Sequence, residues 1–201
     1  MKAFFWLLLI GIFINCTPLA KQEKVVVIQP FGEFSNSEAK LIFKEIEKIN
    51  PKVVLRKNIP FPTETFYKPR NRYRADSLIK FLGSEIGKDS VIIGLSEKDI
   101  STTKVKNKDW GVMGLAFRPG NACVISNFRL SKNNKTEQFH KVALHELGHT
   151  QGLPHCKNKT CLMRAAEGGN PTDQEKAFCS SCSDYLKARN LKLVKTALTN
   201  I

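Results

Sequence analysis

The chain has 201 residues, with 32 Lys or Arg against 18 Asp or Glu and a formal charge of +14. Its 42% hydrophobic content is enough to pack one core, which excludes a disordered chain. The excess positive charge attracts anionic surfaces, but the lysines are scattered and no nucleic-acid motif accompanies them, so no nucleic-acid partner is expected.

Lys2 precedes an apolar run, Ala3–Ile14, that is too short to span a bilayer alone and has the pattern of a signal peptide. Residues 1–20 are therefore expected to be a targeting segment, and residues 21–201 one domain. Cleavage can fall after Ala20, or before Cys16 in the loose bacterial lipobox Phe13-Ile14-Asn15-Cys16. The second site would leave Cys16 lipid-bearing, and a lone cysteine just after an apolar core has no other evident purpose. The expectation is an exported protein that is membrane-anchored, periplasmic or secreted. A buried helix is the structural alternative.

Beyond the leader, Val25–Ile28 reads as a buried strand. Ser35 opens a helix with Glu38 completing a capping box, and Ala39, Ile42, Ile46 and Ile49 form its apolar stripe. Val53–Leu55 is a second strand. The densest arginine cluster, Arg70, Arg72 and Arg74, reads as a solvated face. Ala75, Leu78, Ile79, Leu82 and Ile86 give a second periodic helix, and Val91–Leu95 a third strand. Residues 96–108 are polar and lysine-rich and read as loop. Gly111–Phe117 and Ala122–Phe128 are joined by Arg118-Pro119-Gly120-Asn121, the signature of a hairpin. Strands alternating with helices predict an α/β domain with mixed α+β character and a mostly parallel sheet.

The window His145–His155 reads H-E-x-x-H-x-x-G-x-x-H. It lies at the end of a helix predicted over residues 136–151, whose apolar face is Phe139, Val142, Ala143 and Leu147. Residues four apart share a helical face, so His145 and His149 can aim ring nitrogens at one ion. Gly152 can take the left-handed conformation that ends the helix and lets His155 swing back as a third ligand. Three protein ligands leave one tetrahedral position for water, the mark of a catalytic zinc. Glu146 is adjacent to that face and is the candidate base that activates the zinc-bound water.

Four of six cysteines follow: Cys156, Cys161, Cys179 and Cys182. Asn170-Pro171 can start a helix that would carry Cys179 and Cys182 on one face. The spacing suits a structural zinc, so two zinc ions per chain are expected, with two disulfides as the alternative in an exported protein. Cys123 is left over and reads as a small buried hydrophobe.

These residues carry a family resemblance. H-E-L-G-H-T-Q-G-L-P-H-C, then C-L-M, then C-S-S-C, resembles the archaemetzincins, a branch of the metzincin zinc peptidases, over roughly residues 24–190. The likeness extends upstream to Ile93-Gly94-Leu95, Trp110–Ala116 and Cys123–Ser126. The resemblance implies a zincin-like metzincin fold with an antiparallel edge strand. It also implies a catalytic zinc on His145, His149 and His155, Glu146 as base, a second zinc on the four cysteines, and Met163 in a turn beneath the first zinc. In such enzymes an edge strand holds an extended peptide, and Gly111, Gly114 and Ala116 would permit close approach; a plain core strand is the alternative. The sequence thus predicts a monomeric zinc peptidase acting on peptide or protein substrates. The rival is a catalytically silent, zinc-stabilised peptide-binding protein, against which the intact Glu146 argues.

Overall fold

The computed structural model describes residues 24–189; the expected leader, Cys16 within it, and residues 190–201 lie outside the described residues. In chain order the elements are β1 (Val25–Pro30), α1 (Asn36–Glu47), β2 (Val53–Leu55), β3 (Phe66–Tyr67), β4 (Arg72–Arg74), α2 (Ala75–Ser84), β5 (Ser90–Ser96), β6 (Ile100–Lys104), β7 (Asn107–Val112), β8 (Gly114–Ala116), β9 (Ala122–Ser126), α3 (Lys135–Thr150) and α4 (Ser180–Lys187). Among the described residues no helix is long and apolar enough to cross a membrane.

Five strands form the main sheet in the order β2-β1-β5-β9-β8. The first four are parallel, and β8 returns antiparallel to β9, with Gly114 opposite Ile125 and Ala116 opposite Cys123. Side chains alternate between two covered faces, which is why β1, β5 and β9 read as continuous apolar runs. Val26, Ile28, Val91, Ile93, Leu95, Cys123 and Ile125 pack against α1 and α3. Val27, Ile92, Ala122 and Val124 pack against Ala75, Leu78, Ile79 and Leu82 of α2. The result is a mixed α/β domain, a mostly parallel sheet with one antiparallel edge, as the sequence predicts. Ser35 caps α1, its Oγ accepting the Glu38 N–H at 3.4 Å, but Glu38 does not complete a capping box: the Ser35 N–H donates to Glu97 Oε1 at 3.1 Å, and Glu38 Oε2 accepts from Asn127 Nδ2 at 2.9 Å.

Three stretches depart from the sequence reading. Residues 96–108 are not loop: β6 and β7 form a hairpin in a second sheet, ordered β3-β4-β6-β7. Only Ile100 and Ser101 of β6 are buried, and the tip residue Val105 is fully in solvent, so the hairpin has no apolar alternation to reveal it. The predicted strand 111–117 is two strands, β7 and β8, broken at Met113 and belonging to different sheets. Asn170-Pro171 starts no helix. The amide of Leu162 donates to the Ala177 carbonyl and that of Lys176 to the Thr160 carbonyl, which holds residues 176–177 extended, and α4 begins only at Ser180 with Cys179 as its N-cap residue.

The arginine cluster is a solvated face only at Arg70, whose side chain is exposed. Arg72 and Arg74 share one side of β4 and are mostly buried. Arg72 spans Asp99 at 3.0 Å and Asp109 at 3.3 Å. Asp99 also accepts both ends of the Arg129 guanidinium, at 2.7 and 2.8 Å. Charges on β4, β7 and the loops after β5 and β9 are thereby tied into one network beside the cleft that β7 and Arg129 line.

Candidate active site

Helix α3 sets His145 and His149 one turn apart, with ring centroids 4.6 Å from each other. At its end Gly152 has a φ of +96°, a value that glycine adopts without strain. Its N–H donates to the His149 carbonyl at 2.8 Å, and that of Leu153 to the Gly148 carbonyl at 3.1 Å. This reversal brings the His155 ring to 4.7 Å from His149 and 5.4 Å from His145. One nitrogen from each of the three rings falls in a group no more than 4.8 Å across.

The donor set fits a tetrahedral cation. Nε2 of His149 and Nε2 of His155 are 3.2 Å apart; two nitrogens at 2.0–2.1 Å from one tetrahedral zinc would be about 3.4 Å apart. Nδ1 of His145 lies 2.6 Å from the Leu162 carbonyl, and Nδ1 of His149 lies 2.7 Å from the Leu153 carbonyl. A carbonyl only accepts, so both Nδ1 atoms carry the proton and leave Nε2 free to ligate. Burial lowers the pKa of His145 to about 3 and of His149 to about 4. Burial, then Arg118 and Lys104, lower that of His155 as well. All three are neutral at pH 7, the form that binds metal.

Glu146 points from α3 toward β8 and is 6% exposed. Gly114 lies directly against it: a Cβ on Gly114 would fall 2.5 Å from Glu146 Oε1. Burial raises the Glu146 carboxyl to about 8, and a cation among the neighbouring imidazoles would draw it back down. Gly111 has a different neighbour, since its missing side chain makes room for the Arg129 guanidinium. Ala116 lines the cleft beyond Gly114.

The cleft has a volume of about 970 Å³. Strands β7 and β8 form one wall, the histidines and Glu146 the floor, and residues 164–172 with Glu175 the opposite wall. Strand β8 ends the main sheet, so its outer edge opens onto this space. Met163 is fully buried beneath α3, its sulfur under Gly148 between the two helical histidines. Its carbonyl accepts the Cys156 amide at 2.7 Å.

The four cysteines also converge, their sulfurs all within 4.8 Å of one another. Sγ of Cys156 and Sγ of Cys179 are 3.8 Å apart, and two sulfurs at 2.3 Å from one tetrahedral zinc are about 3.8 Å apart. The amide of Asn158 donates to Cys156 Sγ at 3.4 Å, and that of Cys179 to Cys161 Sγ at 3.3 Å, bonds that favour thiolates. None of the four is joined in a disulfide. Cys123, opposite Ala116, is a buried free thiol outside this group.

Sequence reasoning did not single out Lys104, Arg118, Arg129, Arg164 or Glu175 as cleft residues. They come from five separate segments and follow no motif, so only the fold brings them together.

An open strand edge beside a metal-binding floor serves an enzyme whose substrate is itself a chain of amides, and the class so defined is the zinc metallopeptidases. The sequence profile of Peptidase family M54 matches residues 23–188, and the chain belongs to that family. It is 31% identical to the archaemetzincin of Haloquadratum walsbyi over 147 residues, 67% of this chain and 82% of that one. It is 32% identical to that of Methanopyrus kandleri over 143 residues, 69% and 79% of the two chains. The fold matches a crystal structure of the Archaeoglobus fulgidus archaemetzincin complexed with malonate with a TM-score of 0.69, at 26% identity, covering 80% of this chain and 98% of that one.

Proposed function

We propose that the chain cleaves peptide bonds at a zinc held by His145, His149 and His155, with Glu146 as general base and then general acid. The observation that carries the reading is the placement of Glu146, against Gly114 of β8 in the same cleft that the three histidines line. Zinc, when bound, supplies a Lewis acid that polarises the scissile carbonyl and acidifies water. The chain's own residues do the rest. The edge of β8 pairs with the main chain of an extended peptide and lays one carbonyl over the floor. Gly114 lets that backbone approach without displacing Glu146. The Glu146 carboxylate takes a proton from the attacking water and returns it to the departing amine.

The four cysteines are read as holding a second, structural zinc, consistent with the sulfur spacing and the amides aimed at the sulfurs. Its role would be to fix the segment carrying His155 and Met163. Export and lipidation at Cys16 belong to the same proposal; Cys16→Ser should move the protein from the detergent to the aqueous phase on Triton partitioning.

The decisive experiment is peptide-library cleavage by zinc-loaded wild type and Glu146→Ala, with metal content measured for both. The variant should keep its zinc and lose at least 100-fold in activity. Full activity without Glu146 would remove it from the mechanism, and an inactive wild type with zinc bound would favour a peptide-binding protein.

A further inference from the structure

Glu175 stands in the wall of the cleft facing β8, 3% exposed, in a segment with no metal ligand within three residues. Among the described residues no hydrogen-bond donor reaches its carboxylate and no cation comes within ion-pair distance. The two nearest cations are engaged elsewhere. Lys141 Nζ bonds Glu137 at 2.6 Å and the Thr172 carbonyl at 2.9 Å. Arg164 donates to Gln174 Oε1 at 2.6 Å and to the Lys159 carbonyl at 3.3 Å. The carboxylate, with no partner among the described residues, meets only the space of the cleft that it lines, where a cationic ligand can complete it.

The place of Glu175 along the cleft follows from the elements around it. Strand β8 and helix α3 run the same way: Gly114 lies at Glu146, and past β8 the turn that carries Arg118 reaches the end of α3, where the Gly120 N–H donates to the Thr150 carbonyl at 3.0 Å. Toward the start of α3 the cleft is bounded by Val142, Pro171, Thr172 and Glu175. A peptide pairing antiparallel to β8 therefore enters over Arg118 and leaves over Val142 and Glu175. Its residue after the scissile bond is the one that extends toward Glu175.

We infer that Glu175 is a specificity-determining residue that selects substrates with Lys or Arg immediately after the cleaved bond. Val142 and Pro171 would cover the aliphatic stem, and the Glu175 carboxylate would meet the cationic head. Burial raises the Glu175 carboxyl to about 7, opposed by Lys141 and Arg164. An arriving cation stabilises its charged form, so binding would be accompanied by proton release.

The inference rests on the peptidase reading, and two measurements separate their failures. The first is cleavage of a peptide library, randomised after the scissile bond, by zinc-loaded wild type and Glu175→Gln. The expected result is at least a tenfold preference for Lys and Arg over norleucine in the wild type, lost in the variant. Wild-type cleavage with no such preference overturns the inference and leaves the peptidase standing, whether or not the variant folds. An unchanged profile in the variant does the same. If the wild type cleaves nothing, the peptidase reading fails, and calorimetric binding of agmatine decides the pocket. Binding at least tenfold tighter to wild type than to Glu175→Gln supports the cation site, and equal binding ends it.

Discussion

Gly114→Ala is the sharpest probe of the cleft, because the perturbation is one methyl group and its target is one carboxylate. The new Cβ would lie 2.5 Å from Glu146 Oε1, 2.7 Å from its Cγ and 2.9 Å from its Cδ. Ordinary contact begins near 3.4 Å, so the carboxylate or the strand must move by about 0.9 Å. A misplacement of about 1 Å at a reacting group costs on the order of 100-fold, or about 2.7 kcal/mol of barrier. Strand β8 is an edge and Glu146 a side chain with rotatable bonds, so the fold should absorb the methyl. The melting temperature should shift by no more than a few degrees, since alanine also restricts the unfolded chain by about 0.4–1 kcal/mol. The assay is steady-state kinetics on one cleaved peptide, with zinc content and melting measured on the same preparation. The loss should fall in kcat, with zinc retained. Wild-type kcat/KM in a folded, zinc-loaded Gly114→Ala would refute the claim that Gly114 positions Glu146.

Arg72→Met leaves Asp99 to Arg129 and Asp109 to Arg70 and Arg74, and should cost about 1–3 kcal/mol in urea denaturation; a loss below about 0.5 kcal/mol would mean that those arginines suffice. Cys179→Ser should lower metal content from two zinc ions toward one and destabilise residues 156–189, as read by hydrogen exchange, whereas disulfides in the wild type by mass spectrometry would defeat the second-zinc reading. The folded Glu175 carboxyl is raised to about 7 from an ordinary 4.5, so its contribution to stability is fully present below pH 4.5 and is lost as pH rises through 7. Glu175→Gln should therefore gain stability relative to wild type between pH 4.5 and 8, by up to about 3 kcal/mol, and parallel pH profiles for the two proteins would show that the carboxyl is not raised.

What could be read from the sequence was whatever obeys a short rule. The histidines, Glu146 and Gly152 lie within one helix and its turn, where spacing alone sets direction. The buried strands and the stripes of α1 and α2 could be read because burial imposes a period. The β6–β7 hairpin could not, because its exposed lysines and threonines carry no such period and its stability comes from pairing with β4 across more than 25 residues. The missing helix after Pro171 has a similar cause: local preference yields to pairing with residues 160–162. The ionic network escaped notice because a charged triplet looks alike in solvent and in a pair, and the partners Asp99, Asp109 and Arg129 are remote in the chain.

Cys156 follows His155 with no residue between them, and Cys161 precedes Met163 by two, so one short bracket of backbone serves both clusters. Such a bracket makes the two sites thermodynamic partners. Whatever factor the thiol site, once filled, adds to the affinity of the histidines for their ion is returned in full by the histidines to the thiols. On the proposal that each cluster holds a zinc, loading should then be cooperative: a chelator titration should release the ions over a narrower range than two separate sites of the same mean affinity. Strength at the catalytic ion would in this way be set partly by residues that never touch it.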